Sequence, residues 1–183
     1  PKPLLPVAGK PLLQHHIERL VAAGFSEIII NTAYLAEQIA AFIGDDRRFG
    51  VPVHISAEKE RLETGGGIFH ALGLLGEQPF VVVNSDVWTD FPLQSLPQQI
   101  DDLAHLVLVP NPSHNAKGDF GLNGKRCVSE GGDERLTFSG ISVLRPALFA
   151  TAQAGKFPLA PLLRQAMNAG RVSGERHDGL WID

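Results

Sequence analysis

The feature that most constrains the fold is a regular alternation of short apolar runs with segments of helical periodicity. Three runs rich in β-branched residues, at 27–31, 51–56 and 80–84, are separated by segments in which apolar residues recur every three or four positions. Runs this apolar suit strands buried on both faces, as in parallel sheets that helices cover. The alternation therefore predicts an α/β domain whose mostly parallel, mixed sheet is flanked by helices.

The second half of the sequence has a different pattern, with more strands and fewer helices. Residues 104–111 and 136–146 have the composition of strands, and Asn123-Gly124 between them is a dipeptide typical of β-hairpin turns. An amphipathic pattern at 158–170 predicts a late helix. A length of 183 residues suits one domain with its own core. We therefore expect a single α/β domain over residues 1–183 with an added β-hairpin.

Composition limits the possible partners. The formal net charge is -4 and the Lys and Arg residues are scattered, so the sequence offers no basic surface for nucleic acid. No apolar run approaches the roughly 20 residues that a membrane span needs. The single cysteine, Cys127, excludes an intrachain disulfide and favours a reducing compartment. We expect a cytoplasmic protein, a monomer or weak homodimer, whose partners are small molecules and neither nucleic acid nor a membrane.

Two apolar runs end in carboxylates. Asp86 follows the run at 80–84, and Asp183 ends the stretch at 179–183. Ligands of open α/β sheets bind beyond the carboxyl ends of the strands, so Asp86 lies where a site is expected. Two carboxylates about 4 Å apart would repel by about 4 kcal/mol at an effective dielectric of about 20, and a divalent cation between them removes that repulsion. If the two carboxylates converge, they predict a Mg²⁺ site; otherwise Asp86 is a turn residue.

Three other segments suit phosphate or sugar. The stretch "ETGGGI" at 63–68 has three glycines at the expected start of a helix, where backbone N–H groups attract anions or base acceptors, although tight turns use glycine too. Lys2 lies between Pro1 and Pro3, which stiffen the backbone behind a point charge suited to phosphate; the alternative is a solvated lysine. Asp119, before the hairpin, either accepts sugar hydroxyls or shapes a turn.

Taken together, these stretches resemble the sugar-1-phosphate nucleotidyltransferase family. In chain order, "PKPLLPVAGKPLLQHHIERL", "LETGGGI", "VVNSDVW" and "WID" are similar to its Pro-Lys-Pro segment and helix, its glycine segment, and the strands that carry its two metal-binding aspartates. The resemblance covers essentially the whole chain. It implies the nucleotide-diphospho-sugar transferase fold, a Rossmann-like α/β fold in which the added hairpin belongs to the sugar-binding half.

The resemblance also implies residue roles. Lys2 and Asp86 would be catalytic, and Asp86 and Asp183 would bind Mg²⁺. Glu63 departs from the family, because relatives often have glycine at that position. The implied nucleotide-binding residues are Lys2, Glu63, Thr64, Gly65, Gly66 and Asn84, and the implied sugar-binding residues are Asp119, Ser139 and Gly140.

The implied activity is transfer of a nucleoside monophosphate from an NTP to a sugar 1-phosphate. Within the family, "VNSDVWTDF", "AHLVLVPNPSHNAKGDF", "LTFSGISVL" and "GLWID" are most similar to uridylyltransferases of bacterial cell-wall recycling. This similarity favours UTP and N-acetylmuramate 1-phosphate as substrates. The alternatives are GTP with mannose 1-phosphate, and dTTP or UTP with glucose 1-phosphate. An alternative of another class is a non-catalytic, nucleotide-sugar-binding regulatory protein.

The family pattern extends beyond this sequence at both ends. A first strand and a glycine-rich, arginine-bearing nucleotide loop are expected before Pro1, and a helix is expected after Asp183. We therefore expect the sequence to be a portion of a longer protein. Finding that loop in the encoding gene would favour the enzyme over the regulatory protein.

Overall fold

The structure of the chain, a computed structural model, describes residues 2–33, 36–45 and 48–183. The chain forms two compact units. The first unit comprises residues 1–76, 92–95 and 153–159, and the second comprises residues 77–91, 96–152 and 160–183. Both units combine helices with paired strands, which confirms the predicted α/β class. No helix in the described part of the chain is long and apolar enough to cross a bilayer.

The first unit alternates strands and helices as the sequence predicts. A short antiparallel pair precedes the first helix, which begins directly after Pro11. The two longer strands pair in parallel, with Ile28 opposite Val53. The elements are β1 (Pro6–Val7), β2 (Lys10–Pro11), α1 (Leu12–Ala22), β3 (Ile28–Thr32), α2 (Ala36–Ile43), β4 (Val53–Ala57) and α3 (Glu63–Leu75).

The core of the first unit follows from side-chain periodicity. Each of the first two helices buries apolar residues four positions apart, which lie on one helical face. On the strands, the register partners Ile28 and Val53 turn buried side chains toward the same cluster. The buried members of this cluster are Leu13, Ile17, Ile28, Ile39, Ile43 and Val53.

The second unit contains a six-stranded sheet of order β5-β10-β7-β11-β9-β8 and a separate pair, β6 with β12. The longest strand, β10, pairs with β5 through its last residues, with β7 on both sides of a register shift, and with β8 through its first residues. The elements are β5 (Phe80–Val83), β6 (Trp88–Thr89), β7 (Ala104–Val109), β8 (Phe120–Asn123), β9 (Arg126–Val128), β10 (Glu134–Leu144), α4 (Ala160–Asn168), β11 (Val172–Arg176) and β12 (Trp181–Ile182).

The sheet of the second unit is mixed, as expected, but parallel pairs are fewer than the alternation in the sequence suggested. In the described part of the chain, β3 with β4 and β7 with β11 are the parallel pairs. No helix separates β8, β9 and β10, and strands joined by short connections pair antiparallel. The structure also contains four strands that the sequence pattern did not predict, β1, β2, β6 and β11. The first three have only two residues each, and β11 carries polar and charged residues.

The predicted hairpin is confirmed, with its turn displaced by one residue. Asn123 pairs with Arg126, so the two turn residues are Gly124 and Lys125 rather than Asn123 and Gly124. Gly124 has φ +57°, a left-handed conformation that glycine adopts without steric cost. The glycine therefore determines where the chain reverses, and Asn123 remains in the strand.

The thiol of Cys127 is closely packed inside the second unit. Its side chain lies between β9 and β11, so close to Gly174 that a Cβ there would lie 2.4 Å from the sulfur. Burial raises the pKa of the Cys127 thiol to about 12. The thiolate, which is the reactive form, is therefore scarce at neutral pH.

We expect native protein at pH 8 to react with a disulfide reagent such as Ellman's reagent at least about 100-fold more slowly than free cysteine. The measurement is the rate of thiol release, with protein in concentrated urea as the control for full reactivity. A native rate within tenfold of free cysteine would contradict the described packing.

Candidate functional site

The two predicted metal-binding carboxylates lie on neighbouring segments of the second unit. Asp86 is exposed and lies between the end of β5 and the start of β6. Strand β12 pairs antiparallel with β6, with Ile182 opposite Trp88. Continued by one residue, this register sets Asp183 across from Val87, the chain neighbour of Asp86. The ladder therefore places side by side the segments that carry these two residues, which are far apart in the sequence.

The donor set at this position suits Mg²⁺. Both residues offer carboxylate oxygens, and the side chain of Asp183 is 41% exposed, with its Oδ1 atom 3.3 Å from His114 Nε2. In the described residues, no three His, Cys, Asp or Glu side chains gather as a metal-binding group. Mg²⁺ in proteins is commonly held by one or two carboxylates together with substrate phosphates and water. Two carboxylates on an exposed edge therefore fit this ion.

Side chains next to the carboxylates fasten β12 to the rest of the unit. The indole Nε1 of Trp181 donates a hydrogen bond of 2.9 Å to the carbonyl oxygen of Ser139. The Asp90 backbone N–H donates to the Leu180 carbonyl, and the Asp90 carboxylate lies 2.8 Å from His177 Nε2. Hydrogen bonds from the Leu180 backbone and from His177 hold the pKa of the Asp90 carboxyl below its ordinary value.

Asn84 and Gly140, assigned to nucleotide and sugar by the resemblance, pack directly on each other. The backbone N–H of Asn84 donates to the Gly140 carbonyl at 2.9 Å. Gly140 has φ +81°, and a Cβ at this residue would lie 2.7 Å from Asn84 Nδ2. Glycine is therefore required here for its backbone conformation and for the close approach of the amide.

The hydroxyl of Ser139 is occupied within the sheet. It donates to the Val107 carbonyl at 2.7 Å and accepts the Ile141 N–H at 3.1 Å, where the register between β10 and β7 shifts. A hydroxyl has one donor, so none remains for a sugar oxygen. The sugar contact of Ser139 stays a prediction. The hydrogen bonds at this bulge account for the burial of the Ser139 hydroxyl.

The carboxylate of Asp119 also binds the chain itself. Its two oxygens accept hydrogen bonds from the Phe138 N–H at 2.9 Å and from Asn115 Nδ2 at 3.0 Å. Arg135 and Arg164 each donate to the Asp119 carbonyl at 3.1 Å. The structure thus supports the turn-shaping role. A carboxylate has about four acceptor positions, so contact with a sugar hydroxyl stays a prediction.

In the first unit, the glycine segment is covered by a distant part of the same unit, residues 155–157. The Gly66 N–H donates to the Phe157 carbonyl at 3.0 Å, and the Phe157 N–H donates to the Leu62 carbonyl at 3.1 Å. A Cβ at Gly65 would lie 2.6 Å from the Phe157 ring, and one at Gly66 would lie 2.2 Å from the Gly155 carbonyl. Packing within the unit therefore requires these glycines, and nucleotide binding by them stays a prediction.

Glu63, the departure from the family pattern, has a backbone that favours glycine. Its φ is +62°, in the left-handed region that costs other residues about 1–2 kcal/mol. Its carboxylate lies 3.6 Å from Lys156 Nζ. Thr64 is exposed at the same helix start, whereas the side chain of Lys2 lies outside the described part of the chain. The predicted phosphate contact of Lys2 is therefore outside what the structure describes.

Several residues near the predicted site were missed by the sequence reasoning. His114, to which the sequence pattern assigned no role, contacts Asp183. Asp90 and His177 had no role assigned to them. A usable signal exists in hindsight, since each lies a few residues from an assigned aspartate. The contact between Asp90 and His177 joins positions 87 residues apart, and no local sequence pattern reveals such a contact.

The chain is similar to known nucleotidyltransferases. The nucleotidyl transferase family model matches residues 1–124. The N-acetylmuramate alpha-1-phosphate uridylyltransferase of Neisseria meningitidis is 50% identical over 194 aligned residues, which cover 100% of this chain and 83% of the relative. The protein of the same name from Caulobacter vibrioides is 33% identical, covering 100% of this chain and 82% of the relative.

More distant similarities are partial or concern the fold. A mannose-1-phosphate guanyltransferase from Gibberella zeae is 40% identical over 99 residues, which cover 52% of this chain and 27% of that protein. The crystal structure of HddC from Yersinia pseudotuberculosis has a TM-score of 0.80 and 22% identity, covering 100% of this chain and 84% of that chain. The last comparison shows the fold and confirms the expected architecture.

The packing on the glycine segment predicts opposite effects for two alanine substitutions in α3. Gly66→Ala would place a Cβ against a backbone carbonyl, and overpacking of this kind costs about 1–3 kcal/mol. Gly73→Ala is the matched control, because a Cβ there meets nothing within 4 Å and alanine is favoured over glycine inside a helix by about 1 kcal/mol. We expect Gly66→Ala to lower the thermal midpoint and Gly73→Ala to raise it slightly. Equal midpoints for the two variants would contradict the packing described for residues 155–157.

Proposed function

The chain belongs to the nucleotidyl transferase family, and on that premise we propose that it transfers UMP from UTP to N-acetylmuramate α-1-phosphate, with release of pyrophosphate. The observation that carries this proposal is 50% identity, over the full chain, to a relative that bears this activity in its name. The product would be UDP-N-acetylmuramate. The reaction would belong to peptidoglycan recycling in the cytoplasm.

The reaction is an exchange of phosphate bonds without a covalent enzyme intermediate. An oxygen of the sugar phosphate attacks the α-phosphorus of UTP, and the bond from that phosphorus to the oxygen bridging to the β-phosphate breaks. The electron pair leaves with pyrophosphate. Since two anions must meet in line, the protein acts through positioning and charge neutralisation.

Asp86 and Asp183 are the residues that would hold Mg²⁺ in this proposal. The support is their exposure and the β6–β12 ladder, which sets Asp183 one residue from the position opposite Asp86. When bound, the ion would neutralise phosphate charge and orient the reacting oxygens. Without a cation the two carboxylates would repel each other.

The remaining roles follow the family resemblance. In the first unit, Lys2 would bind phosphate, and Glu63, Thr64, Gly65 and Gly66 would surround uracil and its ribose. In the second unit, Asn84 would contact the nucleotide. The proposed sugar-binding residues are Asp119, Ser139 and Gly140. Because Ser139 and Asp119 are hydrogen bonded within the chain, their contribution would come from the backbone or from an unused acceptor position.

Replacement of Asp86 tests the proposed metal role. We expect Asp86→Ala to lower turnover by at least about 100-fold, because loss of a carboxylate ligand weakens both metal binding and charge neutralisation. The thermal midpoint should change little, since Asp86 is exposed. Asp101→Ala, another exposed aspartate of the second unit, is the matched control and should keep parental turnover. Near-parental formation of UDP-sugar by Asp86→Ala would reject the assignment.

A substrate panel tests the proposed specificity. Full-length protein is assayed for pyrophosphate release with UTP, GTP or dTTP against the 1-phosphates of N-acetylmuramate, mannose and glucose. We expect UTP with N-acetylmuramate 1-phosphate to exceed every other pair by at least about tenfold in kcat/KM, the discrimination that pocket contacts ordinarily supply. A preference for GTP with mannose 1-phosphate would instead favour the activity named for the mannose-1-phosphate guanyltransferase relative. Release from no pair would favour a regulatory protein.

A further inference from the structure

The strand that carries Asp183 has little backbone support of its own. Strand β12 contains two residues and pairs with β6, which also contains two. An isolated two-stranded ladder is marginal in water even when it is longer than this. Side chains must therefore fix the position at which the chain reaches Asp183.

His177 provides such a fixed point four residues before β12. Its backbone N–H donates to the carbonyl of Leu108 at 2.8 Å, and its ring packs edge-on against Phe91 with ring centres 5.3 Å apart. Leu108 is 0% and Phe91 is 3% exposed, so both neighbours belong to the core. The His177 side chain is 14% exposed, and these buried neighbours hold its residue in place.

Asp90 connects this fixed point to β12. Its Oδ1 atom is 2.8 Å from His177 Nε2, while its backbone N–H donates to the Leu180 carbonyl at 3.1 Å. Between the two contacts the chain turns at Gly179, where a Cβ would lie 2.4 Å from Asp90 Oδ1 and 2.5 Å from His177 Cε1. The close packing at Gly179 leaves this turn little freedom to shift.

We propose that His177 and Asp90 form a clasp that positions Asp183 beside Asp86. The inference rests on the proposed function, since the position of Asp183 matters for activity only if the two aspartates act together. Partners that orient metal ligands typically change metal affinity by 10- to 100-fold when removed. Neither clasp residue would touch substrate, so both are positioning residues.

A second His–carboxylate pair in the same unit provides a matched control. His105 Nε2 lies 3.0 Å from Glu175 Oε1, and the His105 side chain is 13% exposed, close to the value for His177. This pair joins β7 and β11, which a five-residue parallel ladder already holds together. Loss of this pair should therefore affect stability without moving Asp183.

The test compares full-length His177→Phe with full-length His105→Phe. Phenylalanine keeps a ring in place and removes the hydrogen-bonding nitrogens. Binding of Mn²⁺ alone is followed through the electron paramagnetic resonance signal of the free ion, and pyrophosphate release is measured against Mg²⁺ concentration. We expect His177→Phe to weaken Mn²⁺ binding and to raise the Mg²⁺ concentration for half-maximal rate by about 10- to 100-fold. His105→Phe should stay within twofold of the parent.

Conservative variants separate positioning from folding. His177→Gln keeps a nitrogen near the Nε2 position, and Asp90→Asn keeps an oxygen acceptor. We therefore expect both variants to bind Mn²⁺ with an affinity much closer to that of the parent than to that of His177→Phe. Thermal midpoints are measured for all variants. Similar losses of Mn²⁺ affinity in His105→Phe and His177→Phe would overturn the clasp, because the effect would then be general.

Asp183→Asn distinguishes the two levels of the proposal. If it weakens Mn²⁺ binding while His177→Phe binds Mn²⁺ as the parent does, the clasp is wrong and the metal assignment stands. If Asp183→Asn leaves both Mn²⁺ binding and turnover at parental values, the metal assignment itself fails, and the clasp fails with it.

Discussion

Two carboxylates held close together repel each other, and the second unit places two such residues on adjoining segments. Asp86 arrives from β5, a strand whose neighbour β10 is almost entirely buried. Asp183 arrives from β12, which has only a two-residue ladder. Asp86 therefore follows a strand that is paired with a buried neighbour, whereas the position of Asp183 depends on side-chain contacts. Because of this difference, the few contacts around β12 are important for the position of Asp183.

The bulge in β10 contacts both segments that carry the aspartates. The register between β10 and β7 shifts between Phe138 and Ile141. At this interruption the Ser139 carbonyl accepts the indole N–H from β12, and the Gly140 carbonyl accepts the backbone N–H that follows β5. A bulge frees backbone groups from the ladder and re-aims them, as bulges near functional sites commonly do. The carbonyls freed here attach both segments that bear the aspartates.

The fold was more predictable than the site because apolar periodicity is a local signal. The parallel pair β3–β4, the helices and the hairpin all follow from residues close in sequence. The need for glycine at Gly65 and Gly66 does not, since it arises from Phe157 and Gly155, about ninety positions later. The sequence likewise suggested Asp119 for sugar or a turn, and only the contact with the Phe138 N–H shows how it braces the bulge. Long-range contacts decide which of two plausible roles a residue has, and sequence periodicity carries no information about such contacts.

Glu63 shows how such contacts override local preference. A left-handed backbone costs a residue with a side chain about 1–2 kcal/mol, whereas an exposed ion pair such as that with Lys156 contributes at most about 1 kcal/mol. The ion pair alone therefore does not account for the conformation. The two hydrogen bonds that flank Glu63, from Phe157 to Leu62 and from Gly66 to Phe157, each contribute about 1 kcal/mol, and both depend on the same turn. The conformation at this helix start is thus imposed by residues 155–157.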